Sequence, residues 1–122
     1  MTEQREHADL QERLLEYGAR IIKIVESLPR TMVGRRIGDQ LLRSGTSAGA
    51  NYQEARGAES QSDFVHKLQL ALKELRESNY WLLLIVETKT LPPGRLSKIL
   101  DESAQLIAIL SKAVATAKGK AK

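Results

Sequence analysis

The sequence of 122 residues contains no cysteine, which excludes a disulfide scaffold, a thiolate metal site and a cysteine nucleophile. Aromatic residues are scarce, with one Phe, one Trp and three Tyr, so rows of stacking platforms of the kind used by single-strand binders are not expected. The longest wholly apolar run is WLLLIV, Trp81–Val86, far short of the ~20 residues that cross a bilayer. The N-terminal stretch MTEQREHADLQER lacks the apolar core of a secretion signal. A cytoplasmic protein with no membrane contact is the expectation.

The usual marks of catalysis are also missing. No Walker or dinucleotide Gly loop occurs. Di-iron bundles need paired Glu-x-x-His motifs, whereas this chain has a single Asp63-x-x-His66 without a second copy. Neither His7 nor His66 has an evident catalytic partner. The chain reads as a non-enzyme with no catalytic residue, no metal site and no cofactor.

The formal net charge is +4, from 19 Lys and Arg against 15 Asp and Glu. Lys112, Lys118, Lys120 and Lys122 all fall near the C-terminus, and without them basic and acidic residues balance. The segment 118–122 is expected to be a basic tail. It is either a solvated, frayed end or a phosphate-attracting device once several copies are gathered.

What the chain has in abundance is helical periodicity. Leu10, Leu14, Tyr17, Ile21, Ile24 and Leu28 recur at spacings of four and three, which makes an amphipathic helix. Pro29 ends it, because the residue before a proline avoids helical geometry. Thr31 is a candidate N-cap for a second helix, and Ser60 with Asp63 for a third. Phe64, Leu68, Leu75, Leu82 and Ile85 mark the third, and Leu96, Ile99, Leu106 and Leu110 a fourth. The expected helices span about 8–28, 32–57, 61–88 and 93–117 of a single domain, 1–122. Four helices joined by short connections give an all-α, antiparallel up-down-up-down four-helix bundle.

The stretch RSGTSAGANYQEA, Arg43–Ala55, interrupts the Leu, Ile, Lys and Glu composition. Each interior Gly costs a helix about 1 kcal/mol relative to Ala, so local propensity favours a turn, as in a DNA-reading helix-turn-helix. The three-four pattern Val33, Ile37, Leu41, Ser44, Ala48 and Ala55 nevertheless passes through without a slip in phase. The segment is therefore expected to be one continuous helix, thinned so that other helices approach closely.

Polar residues share one face of that helix: Gln40, Ser44, Ser47, Asn51 and Glu54, bordered by Arg43. Glu74 and Glu77 project from the third helix. This is either a solvated face or a hydrogen-bonded seam between helices two and three, with Arg43 paired to Glu74 or Glu77, since a buried charge requires a partner. Apolar residues beside the main stripes, Leu15, Ile22 and Val25 on helix one and Val65, Trp81 and Leu84 on helix three, suggest association. Trp81 and Leu84, with Tyr80, are the expected oligomer contact.

Two segments, QLLRSGTSAGANYQEA (Gln40–Ala55) and SDFVHKLQLALKELRES (Ser62–Ser78), followed by NYWLLLI, resemble the four-helix-bundle proteins encoded by intervening sequences within bacterial 23S rRNA genes, also called S23 ribosomal proteins. The resemblance implies an antiparallel four-helix bundle and a ring-like homopentamer. It also implies a relationship to the accessory variability determinant of diversity-generating retroelements, a pentameric bundle that binds nucleic acid and a reverse transcriptase. It implies no reaction.

The leading functional expectation is a non-catalytic oligomer that associates with RNA or DNA through phosphate contacts. Candidate contacts are Arg30, Arg35, Arg36, Arg56, Lys89, Arg95 and Lys98 near the helix connections, with Lys112, Lys118, Lys120 and Lys122. Such binding is weakly sequence-specific and salt-sensitive. The alternative is a scaffold that contacts another protein without touching nucleic acid. A third reading, an enzyme with an unrecognised site around Arg43, Asn51, Glu54 and Glu74, has the least support.

Overall fold

The computed structural model describes residues 2–121, with side chains at 9–120, and no strand occurs among them. Helix α1 spans Thr2–Glu26, α2 Met32–Arg56, α3 Gln61–Glu87 and α4 Pro93–Ala121. The signals that set their ends are local. Thr31 Oγ1 accepts the Gly34 N–H at 3.0 Å to cap α2, and Ser60 Oγ accepts the Asp63 N–H at 3.1 Å to cap α3. Pro93 opens α4, where its missing N–H costs no helical hydrogen bond.

Two ends differ from expectation. Helix α1 already begins at Thr2 rather than near residue 8, since Glu, Gln and Arg there are good helix formers. Helix α4 runs on through Ala121, so Lys118 and Lys120 ride on its last turn rather than on a tail. The Ala and Lys of this segment favour helix, and cations complement the exposed C-terminal carbonyls. Lys122 lies outside the described residues.

Each helix packs on the next in the chain, and α4 returns against α1 through the loosest of the four seams. Side-chain pairs give the directions. Arg56 meets Gln11, Arg43 meets Glu74, Ser103 meets Asn79 and Arg13 meets Glu102, each antiparallel. The up-down-up-down bundle follows. No helix among the described residues is long and apolar enough to cross a membrane.

Helix α2 passes through Gly45 and Gly49 without a break. The glycines face α1, whereas the polar residues of the same helix face α3. A Cβ at Gly45 would stand 2.8 Å from both γ-carbons of Ile21, and one at Gly49 would stand 3.5 Å from Leu14. The segment is thin for packing, as the unbroken phase predicts, but its close approach is to α1 and the polar seam lies elsewhere.

The core is mostly Leu, Ile and Ala, with Tyr17 and Tyr52 fully buried. Three serines join it. Ser78 Oγ donates to the Leu75 carbonyl at 2.8 Å, leaving its oxygen to accept from the Tyr17 hydroxyl at 2.7 Å. Ser103 donates to Asn79 Oδ1 at 2.9 Å, and Ser44 to the Gln40 carbonyl at 2.8 Å. Burial raises the Tyr17 phenol and pushes Tyr52 up to about 12. Periodicity alone makes Tyr17 an apolar stripe residue. The signal of its partner is Ser78, which stands in phase with Leu75 and Leu82.

Candidate functional site

The antiparallel arrangement sorts the charged candidates into two groups. One end of the bundle carries the α1–α2 connection at residues 27–31 and the α3–α4 connection at 88–92. Arg30, Arg35, Arg36, Lys89, Arg95 and Lys98 gather there. The opposite end carries Arg56, Lys112, Lys118 and Lys120.

The first end holds most of the unbalanced charge. Across 23–39 and 84–100, Lys23 joins those six cations against Glu26, Asp39 and Glu87, an excess of +4 that equals the net charge of the whole chain. None of the six enters a salt bridge among the described residues, and Arg35 Nη1 donates only to the Arg30 carbonyl at 3.3 Å. The first turns of α2 and α4 contain no acid, although an acid is what a helix N-terminus prefers. At the other end Arg56 is bound to Gln11 at 2.9 Å, and Lys112 and Lys120 line one hollow with Asp9 of α1.

Lys89 at the cationic end has a backbone φ of 56°, the left-handed region. It occupies the C′ position of α3. Its N–H donates to the Val86 carbonyl and that of Thr90 to the Ile85 carbonyl, both at 3.1 Å, the pairing that usually selects glycine. A lysine there costs about 1 kcal/mol. Lys89→Gly is therefore expected to raise stability by about 0.5–1 kcal/mol in urea unfolding. A variant less stable than the parent would contradict this account of the turn.

The polar face of α2 divides along its length. Arg43 donates to Glu74 Oε2 at 2.6 Å and to Glu77, linking α2 to α3. Glu77 also accepts the Trp81 indole N–H at 3.0 Å. These two bonds, Trp81 first and Arg43 second, hold the Glu77 carboxyl below the ordinary glutamate range. Glu54 is 57% exposed and pairs with Lys67 at 2.8 Å. Asn51 donates to the carbonyl of Ser47 in its own helix at 3.0 Å, and Gln40 lies 3.4 Å from Arg43. The Arg43 side chain is 46% exposed, so its ion pairs contribute about 1 kcal/mol or less each rather than the several expected of a buried charge. Arg43, Asn51, Glu54 and Glu74 do not converge on one cavity. Among the described residues, no group of three or more His, Cys, Asp or Glu could hold a metal ion.

Sequence reasoning missed a second bridge. Arg13 of α1 forms two bonds to Glu102 of α4, at 2.7 and 3.0 Å, and one to Gln105 at 3.1 Å. Hydrogen bonding to Arg13 keeps the Glu102 carboxyl low. No periodicity announces this pair, since it depends on α4 folding back beside α1.

The apolar side chains beside the main stripes divide. Val25, Val65, Trp81 and Leu84 are partly buried against the bundle's own core. Of the expected contact, Tyr80 alone is well exposed. The exposed apolar side chains of α1 and α2 are Leu15 at 74%, Ile22 at 42%, Met32, Val33 and Leu42. Leu15 and Ile22 lie on the α1 rim that adjoins α2.

The comparisons with known proteins agree with this fold. A comparison with curated proteins gives no match. A solved structure from the S23 ribosomal protein family of Bacteroides thetaiotaomicron, described as a protein with unknown function, is 33% identical, with a TM-score of 0.83 over 89% of this chain and 97% of that one. The family model for the 23S rRNA-intervening sequence protein matches residues 6–112. A match over nearly the whole bundle, with that likeness in sequence and structure, places the chain in the 23S rRNA-intervening sequence protein family.

Proposed function

We propose that the chain is a non-catalytic, homo-oligomeric cytoplasmic protein that binds RNA or DNA by phosphate contacts. The observation that carries this reading is the cationic end. Six cations without salt bridges, Arg30, Arg35, Arg36, Lys89, Arg95 and Lys98, share an end with two acid-free helix N-termini. Arg35, Arg36 and Arg95 lie in or next to the first turns of α2 and α4, where cations oppose the macrodipole. Fold stability therefore does not select those three, whereas a polyanion benefits from both features. The relationship that the family resemblance implies to the pentameric accessory determinant of diversity-generating retroelements points the same way. Gathering such ends in a homopentamer would multiply the attraction, and the exposed Leu15, Ile22 and Leu42 are the side chains best placed for self-contact.

A salt titration tests this function. Binding of a labelled single-stranded oligonucleotide is expected to weaken with a log–log slope of about −4 if all six cations neutralise phosphates. A slope near zero, or no binding at low salt, would favour the second reading. In that reading the exposed apolar residues of α1 and α2 dock another protein and the oligomer is a scaffold.

A further inference from the structure

We infer that the outward face of α3 is a stacking site for an unpaired nucleobase, with Tyr80 as the platform and Arg76 and Lys73 as the adjoining phosphate contacts. This inference rests on the nucleic-acid reading above and names its ligand class as single-stranded nucleic acid.

Two observations carry it. The first is a segregation of charge. Glu74 and Glu77 are turned toward α2 and held by Arg43. Lys73 and Arg76 are exposed, with no salt bridge among the described residues, although Lys73 lies near enough to Glu77 to help keep its carboxyl low. Tyr80 follows them on the same face, seven and four residues on. At 1.5 Å per residue they stand roughly 10 and 6 Å along the helix from the ring, comparable to the spacing of successive phosphates in an extended strand.

The second is the placement of the ring. Tyr17 and Tyr52 are fully buried, and Phe64 and Trp81 pack against the core. Tyr80 is 55% exposed. It is also held in place. Its ring meets that of Trp81 edge to face, with centroids 5.2 Å apart and planes at 72°. Trp81 is tied to Glu77 by its indole N–H, and Glu77 to Arg43. A ring fixed before binding loses little freedom when a base stacks on it. A base inside a duplex presents no free face, so the site discriminates for single strands.

The chain has one Trp, directly beside the platform, and its fluorescence reports on the site. The experiment titrates the full-length protein with a labelled oligo(dT) 12-mer and with a duplex of the same length. Tyr80→Ala is expected to weaken single-strand binding about tenfold or more, and Tyr80→Phe to stay within about twofold. The 12-mer should quench Trp81 emission in the parent and in Tyr80→Phe, and duplex affinity should not respond to either variant. Tyr80→Phe keeps the edge-to-face contact with Trp81 and should melt as the parent does, whereas Tyr80→Ala loses it and should melt a few degrees lower while staying folded at the temperature of the titration. If the parent binds the 12-mer and Tyr80→Ala binds it equally well, the stacking site is wrong and the phosphate reading stands. If the parent binds neither nucleic acid at low salt, both fall. A lower mass for Tyr80→Ala in light scattering would assign the ring to a contact between copies and overturn the stacking site.

Discussion

Gly34→Ala is expected to destabilise the bundle by about 3 kcal/mol, and Gly45→Ala by about 2 kcal/mol, the cost of overpacking a filled site. Helix propensity alone gives the opposite sign, since Ala is favoured over Gly by about 1 kcal/mol in a helix interior. Packing decides. A Cβ at Gly34 would overlap the carbonyl oxygen of Pro29. That oxygen belongs to the backbone of the α1–α2 connection and cannot swing away as a side chain does. Moving it would also disturb Thr31, whose hydroxyl accepts the Gly34 N–H.

At Gly45 the obstacle is Ile21, fully buried and branched at the carbon itself, so it has no free rotamer to offer. Gly94 provides the control. Nothing lies within 4 Å of a Cβ there, and Gly94→Ala should gain a few tenths to 1 kcal/mol from lower unfolded-state entropy. Urea unfolding of the three variants is the measurement. A gain at Gly34 or Gly45 comparable to that at Gly94 would show that α1 and α2 do not approach as described.

The double reversal Arg35→Glu with Arg36→Glu is expected to lower single-strand affinity about 100-fold at low salt and to flatten the salt slope by more than one unit. The same change should leave stability unchanged or raise it by about 0.5 kcal/mol, because it puts carboxylates near an acid-free helix N-terminus. Opposite signs in the two measurements separate binding from folding. Lost affinity accompanied by a lower melting temperature would mean that the arginines act through the fold. Undiminished affinity would move the phosphate contacts to Lys112, Lys118 and Lys120 at the far end.

Several of these residues are legible in the sequence alone. Lys89 and Arg95 flank a proline break, and Arg30 follows Pro29, so their place at connections is a matter of turn chemistry. Helix caps at Thr31 and Ser60 are likewise local, each using a hydroxyl and an N–H three residues on. The continuity of α2 is legible too, because an apolar period that keeps phase across Gly45 and Gly49 leaves no residue for a turn.

Charge distribution is not legible in the same way. Counted along the chain, the excess cations fall to the C-terminal lysines, since the remainder balances. Folding brings the starts of α2 and α4 together at one end and sets Lys112 and Lys120 beside Asp9 of α1 at the other. Net charge along a sequence is a sum, whereas a binding surface is a juxtaposition.

Periodicity, capping and the absence of cysteine and long apolar runs thus determined that this chain forms four helices and where three of their connections lie, because those properties act within a few residues. The tertiary structure chose between a solvated face and a seam with α3 for the polar residues of α2. It alone decided that the glycines of that helix meet α1, that Arg13 finds Glu102 across 89 positions, and that Trp81 packs against the core while Tyr80 stays open. A helix carries its faces in its sequence, but which neighbour each face receives is set by how the four helices fill one core together.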